Sequence, residues 1–278
     1  MFHGQRADQN ARARILVKVK VSPHQAYSRA REAAKKALEI DPELAEANAS
    51  PGWIAMWYDW DWPAAERQFL KAIQMKPEYA TAHLWYGLCL SIMGRFDESI
   101  REIQKACELE PLEPVNPTVL GWAFYMSRRF DESIAVLRKV INSDPEFSIA
   151  YWYQSANFIF KKMWDEAIPT LKKLIELTAG SAFALSTLGL AYGSAGMRDD
   201  ALKILERLDG LSKDRYVGSL WRALVWTGLD EKSKALENLE KAYLERESIM
   251  ALLKIFPIYD SLRSEPRFQA LLKKMGFG

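Results

Sequence analysis

"GRFDESI" occupies residues 94–100 and "RRFDESI" residues 128–134, so Arg-Phe-Asp-Glu-Ser-Ile is written twice at an offset of 34. A paired acid such as Asp97-Glu98 reads either as catalytic machinery or as a structural signal. The phase of the motif decides. Small residues recur at Ala30, Ala65, Ser99, Ser133, Ala167, Ala201 and Ala235, with one step of 35 and the rest of 34. Seven residues after each stand Ala37, Ala72, Ala106, Val140, Leu174, Leu208 and Ala242. Pro42, Pro77, Pro111 and Pro145 follow in the first four units. Gly87, Gly121, Ser155, Gly189 and Ala223 stand twelve residues before the small position. Self-similarity at one period over most of a chain marks a stacked array rather than a closed globule.

Each unit reads as helix-turn-helix. Apolar and small residues recur at helical spacing in two runs, interrupted near Gly94, Arg128, Lys162 and Gly196. Small residues let the two helices approach, and Phe96, Phe130 and Trp164 fill beside them. Proline after the second helix stops it. In "EPLEPVNPTVLG", Asn116 reads as an N-cap and Pro117 as the first helical residue. Pro51 falls inside the first helix of unit two, which should therefore start late, capped by Ser50, or kink. The acidic pairs Asp97-Glu98, Asp131-Glu132, Asp165-Glu166 and Asp199-Asp200 each open a second helix. There an acid caps free N–H groups and meets the positive helix end, worth roughly 0.3–1 kcal/mol. A catalytic pair would be singular.

This pattern resembles the tetratricopeptide repeat, in six units from about Ala45 to Glu247 with a half-unit before them. The resemblance implies an all-α, right-handed superhelical α-solenoid. The domain reading is a basic, poorly ordered arm at 1–21, the repeat array at 22–247 and a capping segment at 248–278.

Composition supports no competing chemistry. Cys89 and Cys107 give no disulfide framework, and both fall on helix positions beside core residues. His3, His24 and His83 have no second His or Cys at ligand spacing, so no metal and no cofactor is expected. No nucleophile elbow, Ser-x-x-Lys pair or Walker loop occurs, and no catalytic residue is assigned. "GSAG" at 193–196 reads as a helix-end turn. No apolar run is long enough for a signal peptide or a membrane span, and the expected location is a bacterial cytoplasm.

In the resembling family the first helices form a concave binding face. Carried over position by position, that face holds Trp53, Trp57, Trp85, Trp122, Tyr125, Trp152, Tyr153, Phe160 and Trp221, with almost no charge. Two readings of these aromatics stand: inter-helix core, or an apolar groove for a peptide or helix. The Lys, Asn and Arg residues with which some family members clamp a carboxylate are replaced here by Trp, Leu and Ile. The function this implies is a non-catalytic protein-interaction scaffold, the groove filled by a partner segment or by a second copy.

The ends depart from the repeat. "ALLKIFPIYDSLRSEPRFQALLKKMGFG" places Phe268, Leu271, Leu272 and Met275 on one face, as a solvating cap for the array's last unit requires. It resembles the terminal block of repeat regions in bacterial multidomain regulators, where a winged-helix or kinase domain precedes the repeats; these 278 residues contain no such domain. Residues 1–36 carry nine Lys/Arg against two Asp/Glu, a surplus of +7, leaving 29 basic against 34 acidic residues behind them. The alternative function is therefore a regulator fragment touching nucleic acid or an acidic partner through this arm. A solvated basic tail is the simpler reading of it.

Overall fold

The structure, a computed structural model, describes residues 23–41 and 44–277. The basic arm at 1–21, Pro42 and Gly278 lie outside the described residues. Those described form fourteen α-helices and no strand, in a right-handed α-solenoid. A single helix, α1 (Pro23–Ile40), precedes six helix pairs. These are α2 (Ala45–Ile54) with α3 (Trp62–Met75), α4 (Ala80–Met93) with α5 (Phe96–Leu109), and α6 (Val115–Met126) with α7 (Phe130–Ser143). Then come α8 (Ser148–Phe160) with α9 (Trp164–Leu177), α10 (Ala182–Ser194) with α11 (Arg198–Ser212), and α12 (Ser219–Gly228) with α13 (Lys232–Leu244). Two 3-10 turns, Ser248–Leu252 and Pro257–Leu262, lead to a last helix, α14 (Pro266–Lys274).

The turn inside each unit explains the motif that opened the sequence. One residue is left-handed in each of the last five helix pairs, at Gly94 (φ 86°), Arg128 (64°), Lys162 (57°), Gly196 (79°) and Asp230 (56°), and Trp60 (59°) is left-handed in the pair before them. The next amide then donates back to a carbonyl of the first helix, as from Arg95 to Leu90 (2.9 Å) and from Arg129 to Phe124 (2.8 Å). That closure satisfies carbonyls a helix end would otherwise leave free. The acidic pairs do stand in the first turns of α5, α7, α9 and α11. They do not cap by side-chain hydrogen bonds, however. Two of the glutamates take the preceding arginine instead, Glu98 from Arg95 (2.6 and 2.8 Å) and Glu132 from Arg129. A side chain caps at Asp61, which accepts the Ala64 amide at 2.9 Å.

Two other local readings are corrected. Asn116 does not cap α6, which begins at Val115. Buried, it turns backward, and its Nδ2 donates to the Ala106 and Glu110 carbonyls at the end of α5 (3.1 and 3.4 Å). Helix α2 does not wait for Pro51 but runs through it from Ala45, then widens into a π turn at Ala55–Asp59.

Packing follows the repeat register. Ala65, Ser99, Ser133, Ala167, Ala201 and Ala235 are fully buried, whereas Ala30 is exposed, because no first helix covers α1 among the described residues. A Cβ on Gly121 would stand 2.6 Å from Leu137 Cγ, so the α6–α7 crossing admits no side chain there. At Gly193 and Gly228 the backbones of α10 and α12 touch, a Cβ on Gly193 falling 2.6 Å from the Gly228 carbonyl carbon. Successive first helices meet one another while second helices spread apart, so the first helices form the inner side.

The segment after α13 turns inward and back. Arg246 donates to the Tyr58 carbonyl (3.2 Å) and lies over the Trp60 ring (4.4 Å). Trp60 also stacks on Tyr243 (5.4 Å), and Trp62 stacks on Phe277 (4.7 Å). Arg128 holds Asp260 through both carboxylate oxygens (2.8 and 2.9 Å). The end of the array is thereby fastened to unit two and to α6.

Candidate interaction surface

Helices α4, α6, α8 and α10 contain no Asp, Glu, Lys or Arg. Uncharged inner helices permit close approach, and they concentrate the tryptophans there. At the start, Trp53 lies 4.7 Å from Trp85 and 5.5 Å from Trp57, ring to ring, all three half-buried. Further along, half-buried Trp152 touches Tyr153 (5.2 Å), Phe183 (5.2 Å) and Trp221 (6.5 Å). Its Nε1 donates to Thr187 Oγ1 at 3.0 Å, which orients the indole. Phe160 stacks on Phe130 at 4.2 Å and stays 40% exposed.

Between these groups Trp122 and Tyr125 are 2% and 1% exposed. Tyr125 packs edge-on to Phe256 of the C-terminal segment at 6.2 Å, and both residues share one core with Leu253, Ile255, Tyr259 and Leu262. The chain's own end therefore covers the middle of the aromatic stripe. Phe256 and Tyr259 were not among the sequence-assigned residues. The signal that could have found them is the run from Ala251 to Leu262, which is apolar on more sides than a solvated cap helix needs.

His83, Cys89 and Cys107 are occupied structurally. His83 is buried, with Nδ1 2.7 Å from Glu102 and Nε2 2.9 Å from the Pro77 carbonyl, and the Glu102 partner raises its pKa. Burial pushes the Cys89 thiol up to about 12 and the Cys107 thiol up to about 11, which makes both poor nucleophiles. Among the described residues no group of three His, Cys, Asp or Glu is placed to hold a metal, and no helix is long and apolar enough to cross a membrane.

Two clefts accompany this surface. One of about 340 Å³ lies between α1 and α2, rimmed by Arg31, Lys35 and Glu39. The other, about 250 Å³, lies on the inner side, between the C-terminal ends of the first helices and the turn Pro257–Leu262. The second adjoins the aromatic stripe.

Helix pairs in one register, small residues at the crossings and an inner side of first helices, four of them uncharged, define an α-solenoid of repeats. A family model described as tetratricopeptide repeat matches residues 57–114. No curated protein matches the chain significantly. Solved structures similar to it include PilW, a type IV pilus biogenesis factor (20% identity, TM-score 0.57, covering 67% of this chain and 86% of that one). The APC/C hetero-tetramer Cut9-Hcn1 matches at 19% identity and TM-score 0.61, over 90% of this chain and 46% of that one. The human IFIT1 dimer with m7Gppp-AAAA matches at 16% identity and TM-score 0.63, over 90% and 65%. At identities this low the likeness is one of fold alone.

Proposed function

We propose that this chain is a non-catalytic protein-interaction scaffold that holds a partner's extended or helical segment along its inner side. The half-buried cluster of Trp152, Tyr153, Phe183 and Trp221, on three successive first helices, carries the reading. Half-buried tryptophans held in place by neighbours are the usual anchors of binding hot spots. Trp53, Trp57 and Trp85 form a second patch in units two and three. Trp122 and Tyr125, already covered, support the lining from beneath. Neighbouring helices lie roughly 10 Å apart, so three units offer about 20–30 Å, the span of a short peptide.

The test compares affinity capture from host lysate by the wild type and by a Trp152→Ala/Trp221→Ala variant. The reading expects partners retained by the first and lost by the second, with circular dichroism unchanged. Equal capture, or a variant that unfolds, refutes it. The alternative, a regulator fragment contacting nucleic acid, rests on the basic surplus of residues 1–36. Salt-steep DNA binding that disappears on removing residues 1–21 would favour it.

A further inference from the structure

Resting on that reading, we propose that the inner-side cleft is a specificity pocket for one apolar side chain of a partner peptide with a basic residue beside it. Its walls come from two parts of the chain. Phe160, Leu190 and Asp230 lie at or near the C-terminal ends of α8, α10 and α12, Tyr125 closes it on the α6 side, and Pro257 and Ile258 form the opposite wall. The C-terminal segment thus builds half of a docking site as well as filling the middle of the inner side.

Size selects the class of ligand. About 250 Å³ is below the roughly 300–1,000 Å³ of small-molecule sites, and it suits a single leucine, methionine or phenylalanine side chain. Phe160 is among the few large apolar side chains left exposed, and its stacking on Phe130 holds the ring at the pocket wall.

Charge selects the neighbour. Asp230 is the one charged residue lining the pocket, is exposed, and its side chain makes no hydrogen bond or ion pair among the described residues. The other acids near these helix ends are paired: Asp260 with Arg128, Asp131 with Lys161 and Glu231 with Arg198. The ends of α8, α10 and α12 also converge here, and helix C-termini carry partial negative charge. Both features attract a cation and repel a carboxylate. An acidic segment is the occupant the pocket disfavours.

The experiment pans phage-displayed random dodecapeptides on the full chain and measures synthetic versions of the winners by fluorescence polarisation. Asp230→Asn is the clean variant, since Asn tolerates the left-handed backbone at that position. Winners should pair an apolar residue with Lys or Arg. Asp230→Asn should weaken them about two- to fivefold, the size of an exposed ion pair. Phe160→Asp should abolish binding, and Asp230→Lys should restore a peptide whose basic residue is changed to Glu. Winners without a basic residue overturn the proposal, as do affinities unchanged in both Asp230→Asn and Phe160→Asp. If those affinities still fall with Trp152→Ala, the inner-side reading survives and the pocket does not. A library without binders, or binders indifferent to all three changes, overturns both. Self-association in sedimentation that Phe160→Asp abolishes would assign the pocket to a second copy instead.

Discussion

Glu247 stands just after α13 and is buried, yet its Oε1 accepts the Leu220 amide at 3.1 Å at the start of α12. A carboxyl from one helix pair's end thus serves the helix beginning of the same pair. The space is tight: a Cβ on Gly218 would fall 2.0 Å from Oε2. Burial pushes this carboxyl up to about 7, with Glu245 adding to it and the Leu220 and Ser219 amides and Arg222 opposing it. The unfolded chain holds an ordinary carboxyl near 4.5, so the folded state binds the proton more tightly. Its contribution to stability is then full below about pH 4.5, is lost as pH rises through about 7, and is constant above. The swing is on the order of 3 kcal/mol at most. Glu247→Gln should therefore flatten the fall in Tm between about pH 5 and 7.5. Parallel melting curves for the two proteins across that range would refute the assignment.

The turn between the helices of a unit is one element used five times with different residues. Gly94 and Gly196 enter the left-handed region freely, whereas Arg128, Lys162 and Asp230 do so against their side chains. At Gly94 a Cβ would meet nothing within 4 Å, so any penalty there is backbone strain alone. Gly94→Ala should cost about 1–2 kcal/mol, and Gly94→Asn distinctly less, because Asn tolerates this conformation. Urea midpoints measure both. Equal losses would mean that packing, not φ, sets the value of this position.

An open repeat array is stabilised by each unit and its neighbours, so damage stays local. This molecule is joined end to start through Trp62 with Phe277, Trp60 with Tyr243, and Arg246 with Tyr58. Phe277 is half-buried, and Phe277→Ala should cost less than the roughly 3–5 kcal/mol of a core phenylalanine. Its effect should reach both sides of the seam. Amide exchange should accelerate in α2 and α3 as much as in α13 and α14. Acceleration confined to the last helices would mean the two ends fold independently.

The repeat, the all-α fold and the turn register were legible in the linear sequence because they rest on interactions within about 34 residues, repeated until the pattern was unmistakable. Ser99 and Ser133 went where their phase placed them, fully buried. The inner-side aromatics were legible as a set, but their exposure was not. Trp152 and Tyr125 both stand on inner-side first helices, yet one is half-buried and the other nearly sealed. Phe256, more than a hundred residues away from either, packs edge-on against Tyr125. Period and propensity act between neighbours in the chain, and no local pattern records which distant segment will cover an apolar face. That outcome depends on where the superhelix brings its own end, and the backbone contact at Gly193 and Gly228 together with the seam at Trp60 and Trp62 set that path.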